Sequence, residues 1–351
     1  MDLSSILGDL PDQMNPTVTG RVLLMDGDFP AYQAAATVKT LKTALTRYQT
    51  LVETERFLTK SDLVRVHITD SNCTKCNRED YPTAQVYQDN RTDKPKPPLL
   101  RPLRLALTTH TFPEYWDVFN WVDREADDGL MMDAHYYGDR AVMCSGDKDL
   151  SLTPGPYWIA DEGRIDIIPD RFGWINLKEL PSQTKVVGHG TKFFWAQMLM
   201  GDAADNVKGI TRLRGKLCGP MGAYEVLNGI TSESDAAEFV LRAYMENKQN
   251  PLAEAECLWL RRSLDDSGYK YLSELGLPDN IQHWLYALNQ YHIEVLAYKA
   301  AMRDYENGKT NEPSGSAGNE TSGNAGRDCP PWKHQCDARC GGQGVGLVLP
   351  E

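Results

Sequence analysis

Nine carboxylates in five short clusters are the residues of this 351-residue chain best placed to do chemistry. They are Asp26 in LLMDGD, Asp70 in HITDSN, Glu125, Asp127 and Asp128 in EADD, Asp147 and Asp149 in SGDKDL, and Asp202 and Asp205 in GDAADN. Two carboxylates about 4 Å apart repel by roughly 4 kcal/mol at an effective dielectric near 20. A fold that converges several of them therefore needs hard cations to stay assembled. Acidic oxygen donors suit Mg²⁺ or Mn²⁺. Two such ions in one site are a common machinery for phosphodiester hydrolysis.

The spacing within each cluster is compatible with this chemistry and also with plainer roles. Glu125 and Asp128 are three apart and share a helix face, but acids in a first helical turn also offset the helix dipole. Asp147 and Asp149 flank Lys148 in a loop, where alternate residues can both point inward. Asp202 and Asp205 lie one helical turn apart, within reach of a single ion. Taken singly, each of these is also an ordinary solvated turn. Asp26 closes an apolar strand beside Gly27, which is the least ordinary placement of the five.

The elements that must carry these acids alternate. Strands are expected at 21–25, 63–68, 117–122 and 140–144, and a small hairpin over 157–160 and 164–168. Helical patterns run over 31–58, from Glu125 to Tyr137, and from Thr191 to Met200. Alternation of this kind predicts an α/β fold with a central, mostly parallel sheet flanked by helices. Carboxylates just after strands fit the rule that such sheets bind ligands at the carboxyl ends of their strands. The polar, Pro-rich stretch 73–102 predicts a mobile excursion outside the core. From 235 to 305 the pattern is largely helical, and NEPSGSAGNETSGNAG then reads as a flexible, low-complexity linker. The expected divisions are an N-terminal extension (1–20), a core (21–227), a helical C-terminal part (228–306) and a disordered tail (307–351).

Hydrophobic residues make up 41% of the chain, enough for a sizeable core. No stretch approaches the ~20 apolar residues of a membrane span, and the acidic N-terminus lacks the basic segment of a signal peptide. A cytoplasmic, reduced setting is expected, with the eight cysteines unpaired. The net charge of −12 argues mildly against nucleic acid if bulk charge alone is considered. Locally clustered basic residues weaken that argument. No membrane partner is expected, and the expected assembly is a monomer.

LLMDGDFPAYQAA, EADDGL, SGDKDL and MGDAADNVKGI resemble, in this order, the signature blocks of the 5′-nuclease superfamily. That superfamily includes flap endonucleases and the 5′-nuclease domain of DNA polymerase I. DSNCTKCNREDYP followed by YQDNR, and LSLTPGPYW after the SGDKD block, are most similar to the phage 5′–3′ exonucleases. The resemblance spans residues 21–227. It implies a PIN/5′-nuclease-like fold and a metal-dependent 5′–3′ exodeoxyribonuclease with flap endonuclease activity. The implied substrates are DNA 5′ ends or flaps, in replication and in the host cytoplasm if the chain is phage-encoded. It implies two Mg²⁺ (or Mn²⁺) ions. Asp26, Asp70, Glu125 and Asp127 match the first metal cluster. Asp147, Asp149, Asp202 and Asp205 match the second, with Asp128 close by. It also implies a basic gateway for single-stranded 5′ ends, to which Tyr87, Arg91, Lys94 and Lys96 would belong, with Lys75 and Arg78 as helpers. Gln88 stands where that family usually has Lys. A helix–turns–helix that binds the duplex backbone, often with K⁺, would be built from Lys208, Gly209, Gly219 and Gly222. The insertion TRLRGKL adds Arg212, Arg214 and Lys216 to it.

Three other readings stay open on sequence, one of them a related PIN-type nuclease acting on RNA, whose usual site has fewer acids. Asp26-Gly27-Asp28 with late acids is similar to a haloacid-dehalogenase phosphatase, although Pro30 and the unexplained EADD and SGDKDL blocks fit that family poorly. A non-catalytic DNA-end binding module would keep the fold without the reaction. Cys73-x-x-Cys76 and the tail's Cys329, His334, Cys336 and Cys340 invite a zinc reading, the tail's C-x4-H-x-C-x3-C resembling a zinc knuckle only in reordered form.

Overall fold

The computed structural model describes residues 17–91 and 95–310. Lys94, the first 16 residues and the Cys/His tail lie outside the described residues. The chain divides into a unit ending at Leu296 and a second one beginning at Ala297. The first unit carries every described residue with a proposed role.

Its centre is a six-stranded sheet in the order β3-β2-β1-β4-β5-β6. The strands are β1 (Val18–Asp26), β2 (Ser61–Thr69), β3 (Trp116–Trp121), β4 (Ala141–Cys144), β5 (Gly155–Ile159) and β6 (Arg164–Ile168). All neighbours are parallel except β5 and β6, which form the expected antiparallel hairpin. The mixed α/β class with a mostly parallel sheet is therefore as expected.

Alternation along β1 explains the layers, because successive side chains leave a strand on opposite faces. Leu23 and Met25 pack with Ala31, Tyr48 and Leu103. These belong to α1 (Asp28–Ala36), α2 (Leu41–Thr59) and α3 (Leu100–Thr109). Val22 and Leu24 pack on the other side with Leu130, Phe193 and Leu241. These belong to α4 (Ala126–Tyr137), α5 (Thr191–Met200) and α7 (Glu233–Glu246); α6 is Pro220–Leu227. That core continues into α8 (Pro251–Leu258), α9 (Gly268–Ser273) and the Ile281–Leu288 part of α10 (Asp279–Thr310). No helix among the described residues is long and apolar enough to cross a membrane.

Three local findings differ from the sequence expectation. The helix expected over 31–58 is two helices, because the Thr40 side chain accepts the Thr43 amide and starts α2 afresh. A second two-stranded sheet, β7 (Trp174–Leu180) and β8 (Gln183–His189), was not anticipated. Finally, much of the 73–102 stretch is tied to the core. Lys75, Cys76 and Asn77 are consecutive left-handed residues, with φ of 50°, 55° and 58°. Such a run costs roughly 1–3 kcal/mol per residue. It delivers Arg78 into the interior, where its side chain is fully buried.

Candidate active site

The strand order reverses beside β1: the chain runs from β1 outward to β2 and β3, then returns to β4 on the other side. The crevice at such a switch point is where open α/β sheets bind ligands. Asp26 ends β1 and Ser145 follows β4. The Ser145 hydroxyl donates to Asp26 Oδ2 at 3.0 Å, and Asp147 N donates to Ser145 Oγ at 3.0 Å. One serine therefore fastens two of the expected acids across the switch point. Asp147 in turn caps the short turn Lys148–Leu152 by accepting the Asp149 amide.

Asp127, in the first turn of α4, completes this group. Burial first, and then the charges of Asp26 and Asp147, hold its carboxyl well above the usual range. Asp26 is pushed up to about 6 by burial and by the neighbouring Asp28. None of Asp26, Asp127 and Asp147 forms an ion pair with a basic side chain among the described residues. Asp28 does, through Arg104.

A second group joins Asp149 and Asp202. The Lys148 ammonium lies 2.9 Å from Asp149 Oδ1 and 2.5 Å from Asp202 Oδ2. The buried Gln197 amide donates to the same two oxygens, at 2.6 and 2.9 Å. Burial raises Asp149 to about 6 against the pull of Lys148. Asp202 is also buried, but Lys148 and its hydrogen bonds hold it below the ordinary value.

A third group joins Glu125 and Asp205. The Gln88 amide nitrogen sits 3.1 Å from Glu125 Oε1 and 2.9 Å from Asp205 Oδ1. Arg91 donates to Asp205 at 2.8 Å, and the Tyr87 hydroxyl donates to Glu125 Oε2 at 2.8 Å. Asn90 and Asn206 add bonds between the same two loops, so the YQDNR segment is clasped onto the second acidic cluster.

Seven of the nine acids are thus linked in this region. The other two are placed differently. Asp128, expected close to the second cluster, is fully buried and turned to Arg78. Its two oxygens take both terminal nitrogens of Arg78 and the Glu125 and Arg261 amides. It is a structural counter-ion with little capacity left for a metal. Asp70 is half-buried just after β2 and accepts from Asn120 and the Asn72 amide. Those bonds, helped by the charge of Arg104, hold its carboxyl below the usual range.

The basic and glycine positions divide similarly. Lys96, Lys208, Arg212, Arg214 and Lys216 are exposed, as a backbone-binding track requires. Tyr87 is buried against Glu125 instead of facing solvent. Gly209 makes a true close approach: its φ is +68°, and a Cβ there would collide with Gly201. Gly219 precedes α6 at an ordinary φ, and Gly222 lies inside α6 where a turn was expected. Ser145 and Gln197 escaped the sequence reading, since a lone polar residue has no spacing signal, and Arg78, expected to help the gateway, is buried on Asp128 instead.

The donor set fits divalent cations in its chemistry. It is oxygen-only, and its raised carboxyls mark negative charge that a hard cation would relieve. Its geometry is looser: among the described residues no three acidic, imidazole or thiol groups close into a ready coordination shell.

This charge imbalance has a measurable consequence. A carboxyl whose folded pKa is raised adds stability that is complete below its unfolded value near 3.9 and lost as pH rises through its folded value. For Asp26 and Asp149 that window runs from about pH 4 to pH 6. In EDTA, Asp26→Asn is expected to melt several degrees above the native chain at pH 7 and level with it at pH 4. Saturating Mg²⁺ should reverse the order at pH 7. Equal melting temperatures at both pH values in EDTA would refute the imbalance. Buried His67 and His292, whose values are lowered by burial, act in the opposite sense in both proteins and cancel in the comparison.

No protein-family model and no curated protein sequence matches the chain. Among solved structures, one similar to it is the bacteriophage T5 flap endonuclease in a pseudo-enzyme–product complex with DNA and metal ions. The identity is 16% and the TM-score 0.46, over 78% of this chain and 98% of that one. Another is the T5 5′-exonuclease with divalent zinc bound, at 16% identity and a TM-score of 0.43, over 79% of this chain and 98% of that one. The chain is therefore similar, over most of its length and at low identity, to structures of the phage T5 5′-exonuclease and flap endonuclease.

Proposed function

We propose that the chain is a metal-dependent 5′–3′ exodeoxyribonuclease with flap endonuclease activity. The observation that carries this reading is the meeting of seven acids from separate segments at the switch point of the sheet, three of them without a basic partner among the described residues. Asp26, Asp127 and Asp147 would hold one cation, and Asp149 with Asp202 a second. Bound there, Mg²⁺ or Mn²⁺ would lower the pKa of an attacking water and offset charge on the scissile phosphate. Ser145, Gln197 and Gln88 fix the spacing between the acids. Arg91 is exposed and spends one terminal nitrogen on Asp205, which leaves further donors for a phosphate oxygen. Lys208, Arg212, Arg214 and Lys216 would attract the duplex backbone.

The test uses a 5′-labelled flap and a blunt duplex, each with Mg²⁺ and with EDTA. The expected result is Mg²⁺-dependent cutting at the flap junction together with short products from the blunt end. Binding without any product would assign the chain to the non-catalytic DNA-end modules. Hydrolysis of a small phosphomonoester without DNA cleavage would assign it to the phosphatases.

A further inference from the structure

The geometry points to Lys148 as a built-in counter-ion that occupies the cation position between Asp149 and Asp202 and is displaced when a divalent cation binds there. The inference rests on the nuclease reading only in taking that cation to be divalent. The Lys148 ammonium contacts both Asp149 oxygens, at 2.9 and 3.2 Å, and Asp202 Oδ2 at 2.5 Å. One ammonium leaves a pair of carboxylates with a net charge of −1, whereas a divalent cation brings the pair to neutrality. Exchange at this position is therefore electrostatically favoured.

Three features allow the lysine to leave without dismantling the site. Its side chain is 51% exposed on a flexible four-carbon stem, so solvent can receive it. Gln197 bridges the same two acids independently and would keep them together. The turn that carries Lys148 is held by the Asp147 cap and not by the ammonium. Among the described residues, Asp26, Asp127 and Asp147 have no equivalent lysine. The two cation positions should therefore differ: one is open, and the other is entered against a resident charge.

The test is a Mn²⁺ titration of the full chain without DNA, followed by the electron paramagnetic resonance signal of free Mn²⁺. In Lys148→Met the weaker binding step should tighten by roughly tenfold or more, because a competing contact charge has been removed. A weaker step that is unchanged or loosened in Lys148→Met would overturn the role of Lys148. Failure of the native chain to bind any Mn²⁺ would instead overturn the nuclease reading. If Lys148→Met does not fold, the native chain decides the matter by lysine side-chain NMR. The Lys148 Nζ resonance should move on saturation with Mg²⁺. A resonance that stays in place while Mg²⁺ binds would refute displacement.

Discussion

Asp202→Asn is expected to lower Mg²⁺-dependent DNA cleavage by at least about 10²-fold while leaving duplex affinity within about tenfold of the native value. The substitution keeps the shape of the side chain and one oxygen for the Ala204 amide, which the aspartate accepts at 2.8 Å. It removes one of the two negative charges that hold Lys148 in the structure and that would hold a cation in the reaction. Charge that acts on the transition state more than on the bound ground state is lost from the rate and not from binding. In the proposed function duplex binding would rest on the exposed Lys208, Arg212, Arg214 and Lys216, which the change does not touch. Single-turnover rates and a filter-binding isotherm on the same flap substrate would separate the two quantities. Retention of most of the rate would remove Asp202 from the reaction, and a parallel loss of rate and affinity would make it a binding residue.

The largest effect on stability is expected at Arg78. Its guanidinium has no solvent exposure and pairs with Asp128, which has none either. It also donates to the carbonyls of Glu256 and Trp259 and reaches Glu125 at 3.2 Å. Arg78→Ala leaves the Asp128 carboxylate buried without its counter-ion and two carbonyls without their donors. Breaking a buried pair from one side costs about 3–5 kcal/mol. Urea unfolding should show a loss of that size, with the slope unchanged. Adding Asp128→Asn should recover part of the loss, because the uncompensated charge is then gone. A loss below about 1 kcal/mol, the scale of an exposed pair, would show that water reaches this site in solution.

Much of this protein is legible along the chain. The apolar runs before Asp26 and up to Cys144 are strands buried on both faces, while the run before Asp70 alternates Val64, Val66 and Ile68 toward one core with Arg65 and His67 between them. Glu125 opens α4 as its residue type and its spacing to Asp128 predict, the two forming a capping box. Thr191–Met200 is helical over its full expected length. The acid clusters were visible because each is a local pattern, set by neighbours within a few positions.

Which acids would meet was not a local matter. Glu125 and Asp128 share one helical turn, yet Asp128 is spent on a buried arginine 50 positions earlier in the chain and Glu125 faces the site. Asp70 has a similar strand-end placement to Asp26, but it lies one strand outside the switch point and is taken up by Asn120 and the Asn72 amide. The 73–102 stretch is polar and rich in proline, and still Tyr87 and Gln88 are buried by bonds to residues about 40 and 120 positions away. Composition and periodicity determine which segments become strands and helices, because those depend on contacts between near neighbours. The allocation of each charge to the acidic crevice, to a salt bridge or to water depends on which strand ends lie side by side, and the strand order exists only once the chain has folded.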